Sequence, residues 1–215
     1  MATVVCYGDS NTHGADPVTL ARFPRDVRWP GVLAAELGGL AEVIEEGLNG
    51  RTTLWNDPFM GGRNGKPYLL PCLRSHAPVD VLVLMLGTND LKSIFGRHPH
   101  EIAAAVGALV DLALASGAGP DEGPPAVLLL APPRLGATTE RSELWGFGAA
   151  RAASDRLPRL YAAVAEMRGV AFLDASALVA GDPADGVHLN AVAHEVLGRA
   201  VAEAVRELLG PVAEV

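Results

Sequence analysis

The sequence is poor in the features that mark secreted, membrane-spanning and nucleic-acid-binding chains. Only two of its 215 residues are cysteines, too few for a disulfide framework. Cys6 stands in an apolar run and Cys72 in an expected helix, and both read as reduced, buried small hydrophobes. No apolar run approaches the ~18 residues that a membrane span requires. "MATVVCYGDS" has no basic region, apolar core or cleavage site of a secretory leader, so a cytoplasmic location is expected. Lys and Arg number 17 against 25 Asp and Glu, and the net charge of −8 argues against nucleic acid or an anionic lipid surface as the main partner. Aromatics are scarce at 5%, which leaves Ala, Val and Leu to build the core. That balance favours helices packed on a Val/Leu-rich sheet, and the length fits one domain over 1–215.

What is present is a repeated alternation. Five apolar runs occur: "TVVCYG" near the start, "AEVIEEG" at 41–47, "VDVLVLMLG" at 79–87, "PAVLLLAPP" at 125–133 and "VAFLDAS" at 170–176. Nearly unbroken Val and Leu fit strands buried on both faces, as in a parallel sheet between two layers of helices. Between the runs lie helical patterns over 26–39, 99–119, 149–168 and 190–210, with Asn190 as N-cap of the last. The fold class is therefore a doubly wound α/β sheet of about five parallel strands. Three stretches, 11–27, 53–67 and 134–148, are irregular, and loops of this length in a compact domain are often functional.

In such a sheet ligands bind beyond the C-terminal strand ends. The polar residues able to do chemistry lie there. The first run ends in Gly8-Asp9-Ser10, the second in Asn49-Gly50-Arg51, the third in Gly87-Thr88-Asn89-Asp90, and the fifth is followed by "GDPADGVHLN" with Asp185 and His188. Acyl transfer by a serine needs a base, a carboxylate to orient the base, and donors for the oxyanion. Ser10 is the candidate nucleophile, His188 the base and Asp185 its orienting carboxylate. The oxyanion donors are the Ser10 and Gly50 backbone N–H groups and the Asn89 side-chain amide. Asp182 is a rival for Asp185, which the D-x-x-H offset favours.

The segments "GDSN", "GLNG", "GTND" and "DGVH" resemble, in order, the four blocks of the SGNH-hydrolase (GDSL) superfamily. "RFPRDVRWPGVLAAELG", "VIEEGLNGRTT" and "MLGTND" are similar to its bacterial arylesterase and acyltransferase subgroup. The resemblance implies a three-layer, flavodoxin-like fold with strand order 2-1-3-4-5. It carries over Ser10, Asp185 and His188 as the triad, and Gly50 and Asn89 as oxyanion donors. It also implies a small-molecule ester substrate with a short acyl chain, acyltransferase activity or carbohydrate deacetylation in relatives, and homo-oligomers among its members. Thioesterases and lysophospholipases share the triad and are the alternative. A carbohydrate-binding protein that has lost catalysis is the alternative from another class.

The remaining residues are read individually. Asn11, where the family has Leu, is expected to shape the pocket, and with Asn49 and Trp55 to contact substrate. Asn11, Thr12, His13 and Asn49 together hint at a small polar substrate. Trp145 is a pocket wall or a loop anchor. Arg51 is expected to pair with Glu45 or Glu46, and Asp9 and Asp90 to be structural. His194 reads as a helix-surface or packing residue. His98 and His100 lack a third metal ligand nearby, and "GGRNG" at 61–65 lacks the setting of a phosphate loop, so no metal and no cofactor is expected.

Overall fold

A computed structural model describes residues 1–210. The five apolar runs form strands β1 (Ala2–Gly8), β2 (Ala41–Gly47), β3 (Val81–Met85), β4 (Ala126–Ala131) and β5 (Ala171–Asp174). All neighbours pair in parallel, in the order β2-β1-β3-β4-β5. This is the sheet that the alternation and the resemblance imply.

Alternation along each strand divides the core in two. Val4 and Cys6 of β1 join Val81 and Val83 of β3 against helices α2 (Trp29–Leu37) and α8 (Ala191–Leu209). Val5 and Tyr7 join Leu82 and Leu84 on the other face, against α3 (Gly65–Ser75), α4 (Pro99–Leu114) and α7 (Leu157–Arg168). A strand covered on both faces has no side for polar residues, which is why β3 reads as an unbroken apolar run. Both cysteines are buried and free. No described helix is long and apolar enough to cross a membrane.

The irregular stretches hold short elements. Helix α1 (Ser10–His13) follows β1 directly, and α5 (Glu140–Leu144) lies between 134 and 148. Segments of four or five residues are too short to display a helical period. The helix expected over 149–168 is two helices, α6 (Arg151–Ser154) and α7. Pro158, in the first turn of α7, cannot donate a backbone hydrogen bond to the preceding turn, so a new helix begins there.

Candidate active site

The turn that carries Ser10 is built by close packing at the end of β1. A Cβ on Gly8 would stand 2.0 Å from Thr12 Oγ1 and 2.8 Å from the Met85 carbonyl oxygen, so only glycine lets α1 fold back there. Asp9 caps α1, its carboxylate accepting a 3.0 Å hydrogen bond from the Asn11 N–H. Burial is the main influence on Asp9 and pushes its carboxyl up to about 6. Ser10 is the first residue of α1, where a backbone N–H has no acceptor inside the helix.

The 182–190 turn brings Asp185 and His188 back to Ser10. Gly186 takes a positive φ of 74°, which lets the chain reverse between Asp185 and His188. Asp185 Oδ1 accepts from the Val187 and His188 N–H groups, both at 2.8 Å. Its Oδ2 stands 2.6 Å from His188 Nδ1, and His188 Nε2 stands 3.0 Å from Ser10 Oγ. Burial opposes ionisation of Asp185, but these bonds outweigh it and hold the carboxyl below its ordinary value. Asp182, the rival, turns to the Ala184 N–H and to Asn190 Nδ2.

Ser10 and His188 open into a cleft of about 250 Å³ that Gly50 and Asn89 also line. Asn89 Nδ2 donates to the Arg51 carbonyl at 3.1 Å and, at a long 3.4 Å, to Asp9 Oδ2. Behind it, buried Asp90 accepts from the Thr53 N–H at 3.0 Å and from the Thr53 hydroxyl, and burial pushes its carboxyl up to about 6. Asp9 and Asp90 thus both hold the scaffold, as the sequence suggested.

Of the expected substrate contacts, Asn49 lines the cleft and Asn11 and Trp55 do not. Asn11 is buried and faces the other way: its Nδ2 donates to the Val187 carbonyl at 3.2 Å and its Oδ1 accepts from the Leu189 N–H at 3.0 Å. One helical step of about 100° carries its side chain off the Ser10 face. Trp55 lies under the Arg97 guanidinium, 5.3 Å from ring centre to Arg97 Cζ. Arg51 does not pair with the carboxylate of Glu45 or Glu46; it donates to the carbonyls of Gly8, at 2.9 Å, and Glu46, and stacks on Tyr7. Glu45 pairs instead with Arg22, Arg25 and Arg28.

The hint of a polar pocket is also overturned, since Asn11 and Thr12 are buried behind the site and Ala15, Leu20, Met60, Phe147 and Val187 form walls. Except for Val187, these walls come from the three irregular stretches, where nothing in the sequence distinguishes a wall from an anchor. Trp145 is a wall; its ring meets His188 edge-on with centres 5.5 Å apart. Lys92, just beyond "GTND", lines the cleft too and was not foreseen.

His194 is a packing residue, fully buried, its Nδ1 accepting from the Trp29 N–H at 3.3 Å. His98 and His100 stack at the start of α4, where His98 is the N-cap. Glu46, Cys72 and His76 bring their ligating atoms within 4.8 Å of one another, a cluster the sequence did not suggest. Glu46 Oε1 there already bonds His76 Nε2 and the Tyr68 hydroxyl, and the Arg51 guanidinium stands beside Tyr68.

The sequence profile of the GDSL-like lipase/acylhydrolase family matches residues 6–196. A carbohydrate acetylesterase from Sinorhizobium meliloti superimposes with a TM-score of 0.92 at 41% identity, over 97% of this chain and 100% of that one. The aryl esterase of M. smegmatis gives the same values: TM-score 0.92, 41% identity, 97% and 100% coverage. No curated protein matches the chain.

Proposed function

This chain belongs to the GDSL-like lipase/acylhydrolase family and is an ester-hydrolysing enzyme, and we propose that it works through a Ser10–His188–Asp185 triad on short-chain acyl esters. The observation that carries the reading is the unbroken line from Asp185 through His188 to Ser10 Oγ, with contacts of 2.6 and 3.0 Å. Asp185 holds His188 with its proton on Nδ1, leaving Nε2 to take the Ser10 proton as Oγ attacks the ester carbonyl. The Ser10 and Gly50 N–H groups and the Asn89 amide receive the oxyanion. The long bond from Asn89 to Asp9 is the one given up for it. His188 then protonates the leaving alcohol, and an acyl-enzyme remains.

Water completes hydrolysis; a second alcohol in the cleft completes acyl transfer. A cleft of about 250 Å³ with apolar walls suits an acetyl group and a compact alcohol such as a phenol or a sugar, and is small for a long acyl chain. The esterases it resembles support both alcohols. Ser10→Ala should reduce the hydrolysis of phenyl acetate by ~10⁴-fold or more while leaving the fold intact. Turnover within tenfold of wild type at equal purity would reject the triad. Product analysis with a competing alcohol then separates transfer from hydrolysis.

A further inference from the structure

Lys92 lines the wall of the cleft, and no described carboxylate pairs with it. It follows the Asn89–Leu91 turn and lines the cleft beside Ser10, Asn49 and Trp145, with its ammonium 5.7 Å from the centre of the Phe147 ring. No ion pair among the described residues includes Lys92: they join Arg22, Arg25 and Arg28 to Glu45, Arg97 to Glu101, Arg134 to Asp155, Arg168 to Asp111, Arg199 to Glu36 and Glu195, Arg206 to Glu36, His76 to Glu46 and His188 to Asp185.

Burial draws the Lys92 ammonium below its ordinary value. Asp57, Asp9 and Asp90 act from a distance to keep it charged, and Arg63 opposes them. Each of these carboxylates has its own donors: Asp57 the Phe59 and Met60 N–H groups, Asp9 the Asn11 N–H and the Asn89 amide, Asp90 the Thr53 N–H and hydroxyl. They sustain the charge on Lys92 without filling its three N–H donors. Arg63 is a second cation close enough for its field to reach Lys92. Its side chain lies against cleft-lining Gly50, with Cδ and Nε 3.5 Å from where a Cβ would stand, and its buried Nε has no hydrogen-bond partner.

Resting on the esterase reading, we propose that the cleft takes esters bearing an anionic oxygen group, a carboxylate foremost, which Lys92 receives with Arg63 reinforcing its field. An ammonium among apolar walls gains most from a partner that brings both charge and acceptor atoms. The chain's net charge of −8 repels such substrates at long range, so a local cation is what would admit them.

The test compares kcat/KM for three esters: neutral phenyl acetate, 4-acetoxybenzoate with its carboxylate on the alcohol side, and monophenyl succinate with its carboxylate on the acyl side. Lys92→Met, which keeps the apolar stem, should lower the anionic-to-neutral ratio for at least one carboxylate ester by about tenfold, and Lys92→Arg should recover most of it. The ester that responds identifies the side on which the anion sits. If neither ratio changes by more than about threefold in Lys92→Met, the proposal is overturned.

Failure of the esterase reading looks different: no ester is then turned over faster by wild type than by Ser10→Ala. In that case binding decides. By calorimetry on Ser10→Ala, at least one of 4-acetoxybenzoate and monophenyl succinate should bind about tenfold tighter than phenyl acetate, and the added Lys92→Met change should remove the difference. A difference below about threefold for both in Ser10→Ala, or one that survives Lys92→Met, overturns the anion site.

Discussion

Asn11 couples the two halves of the site through one side chain. It is the neighbour of Ser10, and its amide bonds the backbone on either side of His188, at the Val187 carbonyl and the Leu189 N–H. The positions of Ser10 and His188, the proposed nucleophile and base, are thereby tied together. Asn11→Ala leaves both backbone groups buried and unpaired, and should lower unfolding free energy by about 2 kcal/mol in urea titrations. It should also reduce kcat by ~10–10²-fold with a smaller change in KM, because misplacing a base by a fraction of an ångström affects the chemical step more than binding. Equal loss in KM and an unchanged kcat at a temperature where both proteins are folded would leave Asn11 with a purely structural role. The sequence marked Asn11 as unusual but assigned it to substrate. That Ser10, Asp185 and His188 come together could be read from their places, Ser10 directly after β1 and the D-x-x-H pair in the turn beyond β5. The direction of the Asn11 side chain could not, because it depends on the turn of a four-residue helix.

Helices α2 and α8 show what element packing asks of single positions. Gly198 of α8 lies against α2, where a Cβ would meet Val32 Cβ at 2.6 Å and the Trp29 carbonyl oxygen at 2.8 Å. Alanine has the better helix propensity, by about 1 kcal/mol, so an unpacked helix would be stabilised by the change. Here the overlap is with a Cβ and a backbone atom, neither of which can swing aside, and overpacking of this kind costs about 1–3 kcal/mol. Gly198→Ala should therefore lower the thermal midpoint, measured by circular dichroism; a rise would mean that α2 moves freely over the sheet. Strands were readable because burial on both faces leaves a short unbroken apolar run, and long helices because burial on one face writes a period into ten or more residues. The close approach at Gly198 leaves no such period, and a glycine inside a helical pattern looks the same whether it is needed or merely tolerated. The cleft walls were hidden for a related reason: Leu20, Met60, Trp145 and Phe147 come from segments whose paths are set by tertiary contacts rather than by repeat.

For the molecule as a whole, folding imposes opposed proton demands. His194 sits between α8 and the start of α2, with Nδ1 taken by the Trp29 N–H, Nε2 without a partner, and Phe23 edge-on at 5.7 Å. Burial first, then the fields of His188 and Arg28, lower it to about 4. The unfolded chain thus binds a proton at His194 between about pH 6.5 and pH 4 that the folded chain refuses, so stability from this group is complete above pH 6.5 and falls by roughly 3 kcal/mol on the way to pH 4. Asp9 and Asp90, raised to about 6, act in the reverse sense. Between their ordinary value near 3.8 and pH 6 the folded chain holds protons that the unfolded chain has released, so their contribution grows as pH falls. Wild-type stability over pH 4–6 combines these opposed slopes, and its shape alone cannot assign either. The difference between wild type and His194→Asn can, since Asn keeps an acceptor near the place of Nδ1 and does not titrate. Urea unfolding at pH 7 and pH 4 should show the advantage of wild type over the variant shrinking by roughly 3 kcal/mol as the pH falls, with Asp9 and Asp90 cancelling from the comparison. A difference that stays constant across that range would mean that His194 takes up its proton in the folded state and that the contact between α2 and α8 admits a charge.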